Sequence, residues 1–164
     1  MIFKLSFEQL VIYSSFLSLI PLIAFTLYRL VKKQYQAVIS RHIAGFFIGM
    51  LDQIFMIWFG WQPTIIPIVI LFNYGLYGTW FLFMPLWEKI NHKKIWILLW
   101  IIFSGVFNTT LENVVRIYTY GNLNYPEGWS QLYTLIFYLC MHLIGTFISS
   151  SPLIIKNISQ KPNI

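Results

Sequence analysis

Two carboxylates and a histidine lie inside long apolar runs of this 164-residue chain. They are Asp52, Glu112 and His142. An ionisable side chain is costly at membrane depth, so such residues usually face the interior of a helix bundle and find partners there. Carboxyl and imidazole groups both exchange protons. The three residues are therefore candidates for a proton relay or for the polar part of a ligand pocket.

Helical spacing places further polar side chains near them. Ser104, Asn108, Glu112 and Arg116 recur every fourth residue, and so do Thr134, Tyr138, His142 and Thr146. Residues four apart share a helix face, so Glu112 and Arg116 are predicted to form an ion pair. A rise of about 1.5 Å per residue puts Asp52, Asn73 and His142 near the membrane midplane and Glu112 nearer the outer surface. The predicted polar cluster is Asp52, Asn73, Asn108, Glu112, Arg116, Tyr138 and His142.

A purely structural role is the alternative for the same residues. Asn, Ser, Thr and His side chains often hold membrane helices together by interhelical hydrogen bonds. Carboxylates are a costly choice for that purpose, so both interpretations stay open for Asp52 and Glu112. Glu112 has Arg116 one turn away, which favours a structural ion pair. Asp52 has no basic residue within one turn and is the better candidate for proton transfer.

Signatures of soluble enzymes are missing from the sequence. It has no glycine-rich phosphate loop, no His-Glu-x-x-His and no Gly-x-Ser-x-Gly. The three histidines lie in different segments and the single cysteine, Cys140, is inside an apolar run, so no metal site is predicted. We expect no cofactor and no enzymatic activity.

Five apolar runs must position the polar residues. Only 10% of the residues are charged and 58% are hydrophobic, which is too little charge to cover a soluble domain. Spanning about 30 Å of hydrocarbon takes about 20 residues. We predict an all-α bundle of five transmembrane helices forming a single domain over residues 1–164. The predicted helices are Gln9–Tyr28, Ile43–Gly60, Thr64–Trp87, Ile95–Val115 and Trp129–Ile155.

Close helix packing is predicted in the second run. Gly45 and Gly49 form a Gly-x-x-x-Gly step next to Asp52. Small residues at this spacing let another helix backbone approach closely.

Basic residues between the runs predict the orientation. If the helices alternate, nine of the 11 Lys and Arg residues lie on one side, and only Lys4 and Arg116 lie on the other. Positive charge favours the cytoplasmic face, which puts the N-terminus outside and the C-terminus in the cytoplasm. The net charge of +6 is thus explained by topology, and we expect no nucleic-acid partner.

A C-terminal pattern resembles a known family. Glu112 is followed by Gly121 and then by Trp129, Tyr133-Thr134 and Tyr138. This arrangement resembles an uncharacterised family of small multi-pass membrane proteins from spore-forming Gram-positive bacteria. In that family a glutamate precedes a Trp-x-x-x-Tyr-Ser-x-x-x-Tyr pattern, and Thr134 stands in the serine position here. The resemblance implies the plasma membrane of a bacterium and implies no particular reaction.

Two function classes remain from the sequence, and a third, an intramembrane enzyme with Glu112 and Asp52 as acid and base, is disfavoured because nothing positions a substrate. The first is a non-catalytic accessory or signalling component of the membrane, acting in a homo-oligomer or with a larger membrane protein. The second is a proton- or cation-coupled carrier of small solutes that uses Asp52, Glu112 and His142. The partner common to both classes is the lipid bilayer.

Overall fold

Five α-helices make up the part of the chain that the structure describes. The structure is a computed structural model, and it describes residues 7–58, 66–90, 94–118 and 127–150. The helices are α1 (Phe7–Val31), α2 (Tyr35–Trp58), α3 (Ile66–Ile90), α4 (Lys94–Tyr118) and α5 (Gln131–Ser150). No strand occurs in these ranges. The predicted helical class and the number of helices are confirmed.

Four of the helices are long and apolar enough to cross a membrane. Their apolar windows are Ile12–Val31, Tyr35–Phe55, Ile95–Val114 and Gln131–Ser149, while α3 contributes the shorter stretch Ile68–Met84 within the described residues. The outward side chains are apolar as well: Leu17 of α1 is 67% exposed and Phe147 of α5 is 76% exposed. Large exposed apolar surfaces of this kind are unfavourable in water and suit a lipid environment. Four helices that could each cross a membrane are consistent with a membrane protein.

The helices pack as a ring with one helix outside it. Helix α2 packs along α3 and α5, and α4 packs along α5 and, over a shorter length, α3. Helix α1 lies against α3 and α2 and, within the described ranges, contacts neither α4 nor α5. The interior enclosed by α2, α3, α4 and α5 is therefore the place where polar side chains from four helices meet.

Glycines bring α2 and α3 into backbone contact. A Cβ built on Gly45 would lie 2.5 Å from the Cα of Gly78, and one built on Gly49 would lie 3.0 Å from the backbone nitrogen of Tyr74. Real Cβ atoms essentially never come as close as the 2.5 Å at Gly45, so that position requires glycine at this helix separation, whereas a Cβ at Gly49 would need the α3 backbone to shift by a few tenths of an ångström. The partner of the Gly-x-x-x-Gly step is thus α3 of the same chain.

Serine hydroxyls tie α1 to α3. The fully buried Ser15 hydroxyl donates a 3.0 Å hydrogen bond to the carbonyl oxygen of Ile68, and Ser18 lies against Gly75. Hydroxyl-to-backbone bonds satisfy polar groups without adding bulk between helices. Helix α1 is consequently held close to α3 although most of its surface is exposed.

The second helix begins eight residues earlier than the sequence predicts. It starts at Tyr35 rather than Ile43, so Arg41 lies inside α2 and not in the first loop. With the end of the helix at Trp58, Asp52 is six residues from that end. It therefore lies about 9 Å from the end of α2 rather than at its middle. Glu112 is likewise six residues from the end of α4, and the predicted midplane position of Asp52 stays a prediction.

Candidate intramembrane polar site

Polar side chains from four helices converge inside the ring. Each is buried or half-buried, and each lies on a helix face that packs against another helix of the ring. We call this set the polar core: Asp52 and Gln53 from α2, Tyr77 and Trp80 from α3, Asn108 and Glu112 from α4, and Tyr138 and His142 from α5.

One hydrogen bond joins α5 to the carboxylate on α4. The hydroxyl of Tyr138 donates to Oε2 of Glu112 at 2.6 Å. Tyr138 is 6% exposed and Glu112 is half-buried. Since the Tyr138 proton is committed to Glu112, the hydroxyl oxygen of Tyr138 remains able to accept a hydrogen bond from another group.

A second hydrogen bond joins the same two helices deeper in the ring. Nδ2 of Asn108 lies 2.7 Å from Nε2 of His142, and both residues are 2% exposed. An amide nitrogen can only donate, so Nε2 accepts and the proton of the neutral imidazole lies on Nδ1. Oδ1 of Asn108 has no hydrogen-bond partner among the described residues.

Aromatic rings from α3 surround the His142 imidazole. The ring of Tyr77 is 5.6 Å from it, that of Phe81 is 6.0 Å and that of Trp80 is 6.3 Å, measured between centroids. Nε1 of Trp80 is buried and, within the described part of the chain, makes no hydrogen bond. His142 therefore lies at a boundary between an aromatic wall and the polar side of the ring.

Unsatisfied polar atoms concentrate on α2 and its neighbour α3. Asp52 is 4% exposed and Gln53 is 2% exposed, yet Oδ1 of Asp52 and both polar atoms of the Gln53 amide lack a hydrogen-bond partner among the described residues. The fully buried Tyr77 hydroxyl faces the Asp52 carboxyl without meeting the geometry of a hydrogen bond. Leaving a buried polar group unpaired costs about 1–3 kcal/mol, so such atoms call for an explanation other than helix packing.

The two carboxyl groups belong to one electrostatic environment. Asp52 and Glu112 interact with each other through space, and both interact with the hydroxyls of Tyr77 and Tyr138. Apolar side chains of Ala44, Ile48, Phe81 and Met141 form the buried cluster around the two tyrosines. The polar core is thus a small polar region enclosed by hydrocarbon.

The other predicted residues take separate positions. Asn73 is buried on α3, one turn before Tyr77, where its backbone faces Gly49. Gly45 and Gly49 line the seam between α2 and α3 and are not part of the polar core. The side chain of Arg116 lies outside the described residues, so its ion pair with Glu112 stays a prediction.

Other residues of the two polar series spaced four apart, on α4 and α5, have hydrogen-bond partners outside the polar core. Ser104 donates to the carbonyl of Trp100 within α4, Thr134 accepts from Nε1 of Trp129, and the Thr146 hydroxyl points to the sulfur of Met84. The two series therefore contribute Asn108, Glu112, Tyr138 and His142 to the core, and the hydroxyl residues serve as packing groups.

The sequence did not reveal Gln53, Tyr77 and Trp80 as members of the site. Tyrosine and tryptophan are common at membrane interfaces and in apolar cores, so their type alone gave no signal. The spacing of Asn73, Tyr77, Trp80 and Phe81 on α3 was the available clue, since it puts a polar and aromatic face next to Asp52.

A second polar contact lies outside the core and was also missed. His42, predicted to lie in a loop, is in α2, where Nε2 is 2.8 Å from the Thr26 hydroxyl and Nδ1 is 2.6 Å from the Tyr74 hydroxyl. The Thr26 hydroxyl donates to the carbonyl of Leu22, so its oxygen accepts from Nε2–H of His42. In the neutral ring Nδ1 then accepts from Tyr74. His42 in this way connects α1, α2 and α3.

Two arginines predicted to lie in the first loop are buried. Arg29 donates from Nε and Nη2 to the carbonyl of Leu82 at 2.8 and 2.6 Å, and Nη1 donates to the Gln34 side chain. Arg41 donates to the carbonyl of Ser149 on α5. Both side chains therefore connect helices in addition to any effect on topology.

The motif behind the family resemblance makes hydrogen bonds in the described residues, while its Gly121 lies outside them. Trp129 donates to Thr134 at 2.9 Å and stacks near Tyr133, while Tyr138 reaches Glu112. Searches of protein-family models, curated proteins and solved structures found no match to this chain. The family resemblance stays a prediction. Among the described residues, no group of three or more His, Cys, Asp or Glu side chains could hold a metal ion.

Proposed function

We propose that this protein is a non-enzymatic, multi-pass component of a bacterial plasma membrane that exchanges protons at Asp52, in the manner of a proton-coupled carrier of small solutes. In this proposal all five helices span the bilayer, with the N-terminus outside and the C-terminus in the cytoplasm. The resemblance to small membrane proteins of spore-forming bacteria supports the bacterial setting.

The observation that carries the proposal is the buried Oδ1 of Asp52, which has no hydrogen-bond partner among the described residues. A residue that only holds helices together would be hydrogen-bonded in the folded protein, because an unpaired buried polar atom weakens the bundle. Asp52 is buried in the ring with Oδ1 unpartnered among the described residues, and its neighbours Gln53 and Tyr77 also have unpaired atoms. Groups in this state favour exchange with a proton, water or a polar solute.

The experiment measures proton movement through the purified protein. Liposomes containing the protein and the trapped pH dye pyranine are given an inside-negative potassium diffusion potential, and the internal pH is followed. We expect proton entry above that of empty liposomes for the wild type. Asp52→Asn keeps the size and most hydrogen bonding of the side chain but cannot titrate, and its proton entry should fall to the level of empty liposomes.

A control variant and a fold test accompany it. Tyr74→Phe alters a polar side chain on the neighbouring helix outside the polar core and should retain the wild-type flux. Gel filtration of Asp52→Asn as a single symmetrical peak shows that the variant folds. Equal proton entry for the wild type and a folded Asp52→Asn, or no entry above empty liposomes for the wild type, would overturn the proposal.

The second candidate is an accessory or signalling subunit. Helix α1 favours it, because α1 lies outside the ring and exposes an apolar face that includes Phe16, Leu17 and Ile20. A membrane partner or a second copy of the chain would find this face accessible. This class predicts no proton entry in the liposome experiment and co-purification of the partner under mild detergent.

A further inference from the structure

We infer that Tyr77 and Tyr138 connect Asp52 to Glu112 as a relay of two hydroxyl groups, with Tyr77 as the group that bridges the gap between helices. The inference rests on the proposed function, since it gives the buried Asp52 a route for its proton. It assigns a role to Tyr77, and it makes Glu112 the group through which protons enter and leave.

The Glu112 end of the relay is already formed. The Tyr138 hydroxyl donates to Oε2 of Glu112 at 2.6 Å, a distance typical of a strong hydrogen bond to a carboxylate. Glu112 is half-buried, whereas Asp52 is 4% exposed. Of the two carboxyl groups, Glu112 is therefore the less buried, and we assign to it the exchange of protons with the outside of the polar core.

The Asp52 end holds two unpaired groups that face each other. Oδ1 of Asp52 and the hydroxyl of Tyr77 are both buried, and neither has a hydrogen-bond partner among the described residues. The Tyr77 hydroxyl nevertheless lies close enough to interact with the Asp52 carboxyl. Tyr77 and Tyr138 belong to the same buried cluster. In the relay the Tyr77 hydroxyl accepts a hydrogen bond from the Asp52 carboxylic acid and donates one to the Tyr138 oxygen, and these are the two bonds that we propose to form during transfer.

The surroundings leave few other routes for a proton. Ala44, Ile48, Phe81 and Met141 pack around the two tyrosines, and these apolar side chains neither donate nor accept hydrogen bonds. On the α2 side, the backbone contacts of Gly45 and Gly49 with α3 close the seam toward His42. Among the described residues around the two tyrosines, His142 is a further titratable neighbour, and its Nε2 accepts a hydrogen bond from Asn108.

The direction of the existing hydrogen bond indicates how the proton moves. With a proton on Asp52 and an ionised Glu112, Asp52 gives its proton to the Tyr77 oxygen while the Tyr77 proton passes to the Tyr138 oxygen. The Tyr138 proton passes to Oε2 of Glu112 in the same step. Both tyrosines end neutral, Asp52 becomes a carboxylate and Glu112 becomes an acid. Rotation of the two hydroxyl groups then restores the relay for the next proton.

The test measures separately how fast protons arrive at Asp52 and what fraction of Asp52 becomes protonated. Protein in liposomes is exposed to a sudden pH drop by photolysis of a caged proton, and the carboxylic-acid C=O stretch is followed by time-resolved infrared spectroscopy. The signal of Asp52 is the part that disappears in Asp52→Asn. We expect Tyr77→Phe and Tyr138→Phe to slow its appearance at least about tenfold, because phenylalanine keeps the ring and removes the hydroxyl.

Tyr74→Phe is the matched control, since Tyr74 lies one turn from Tyr77 and bonds to His42 instead. It should leave the rate within about twofold of the wild type. The final amplitude should be the same in all three tyrosine variants. An unchanged rate in Tyr77→Phe would overturn the relay even if proton flux depends on Asp52. Absence of any Asp52 signal in the wild type would overturn it as well, whereas loss of flux with the signal intact would count against the carrier proposal alone.

Discussion

Gly45 of α2 lies so close to Gly78 of α3 that a Cβ on Gly45 would be 2.5 Å from the Gly78 Cα. The two helices touch through backbone alone at this point. The contact fixes how deep Asp52 on α2 and Tyr77 on α3 lie relative to each other, because both residues are within two turns of it. Stability and the geometry of the polar core therefore depend on the same glycines.

Replacing Gly45 with alanine should force the helices apart. The nearest atoms are backbone and cannot move aside, so we expect a loss of about 1–3 kcal/mol, typical of overpacking. Gly105→Ala is the control, since its nearest neighbour is the flexible side chain of Leu139. Thermal unfolding followed by gel filtration should show a lower midpoint for Gly45→Ala and little change for Gly105→Ala. Equal unfolding midpoints for the two variants would contradict the close backbone contact between α2 and α3 at Gly45.

Arg29 should tolerate lysine poorly. Its guanidinium donates twice to the carbonyl of Leu82 and once to Gln34, and an ammonium group lacks that planar fork. We expect Arg29→Lys to destabilise the protein by about 1–3 kcal/mol, the cost of leaving buried polar groups unsatisfied. Lys32→Gln, which removes an exposed charge three residues later, should be nearly neutral in the same unfolding assay. If Lys32→Gln destabilised the protein equally, the effect of Arg29→Lys could not be assigned to the hydrogen bonds of Arg29 with Leu82 and Gln34.

Asn108 and His142 should show strong energetic coupling. Asn108→Leu or His142→Phe alone leaves the other partner buried without its hydrogen bond, at a cost of about 1–3 kcal/mol. In the double variant both polar groups are gone, and phenylalanine suits the aromatic surroundings of position 142. A double-mutant cycle on unfolding should therefore give a loss smaller than the sum of the single losses, by about 0.5–3 kcal/mol. Strict additivity would mean that the two side chains do not bond.

The number of helices and the polar residues spaced four apart on α4 and α5 could be predicted from the sequence, whereas the start of α2 could not. Gln36, Ser40, Arg41 and His42 interrupt the apolar run before Ile43, which is why the sequence suggested a loop there. In the folded protein Ser40 and Arg41 are buried against other helices, so tertiary contacts make up for their polarity.

The polar core was only partly predictable for a related reason. Spacing of four residues identified Asn108 and Glu112 on α4 and Tyr138 and His142 on α5, because each pair shares a face of its own helix. Close packing decides which helices face each other. Here it depends on Gly45 and Gly49, and the Gly-x-x-x-Gly pattern does not indicate which helix packs against them. Tyr77 lies in the core because Gly45 and Gly49 pack against α3, and its spacing from Asn73 and Phe81 marks a helix face without showing which helix that face contacts.

The position of the two chain ends distinguishes five spans from four. In the described residues four helices meet the length and hydropathy expected of a membrane span, and α3 contributes the shorter stretch Ile68–Met84. Five alternating spans put the ends on opposite faces, whereas four put them on the same face. Helix α3 packs along both α1 and α2 and carries the buried Tyr77, and a helix enclosed in this way needs less hydrophobicity to remain in the bilayer.

We therefore expect reporters fused at Met1 and Ile164 to lie on opposite faces, the C-terminal one in the cytoplasm. Alkaline phosphatase, active only outside, should be inactive after Ile164, and green fluorescent protein there should be fluorescent. Both ends on the same face would remove one helix from the membrane and, with it, the basis for reading the ring as an intramembrane site.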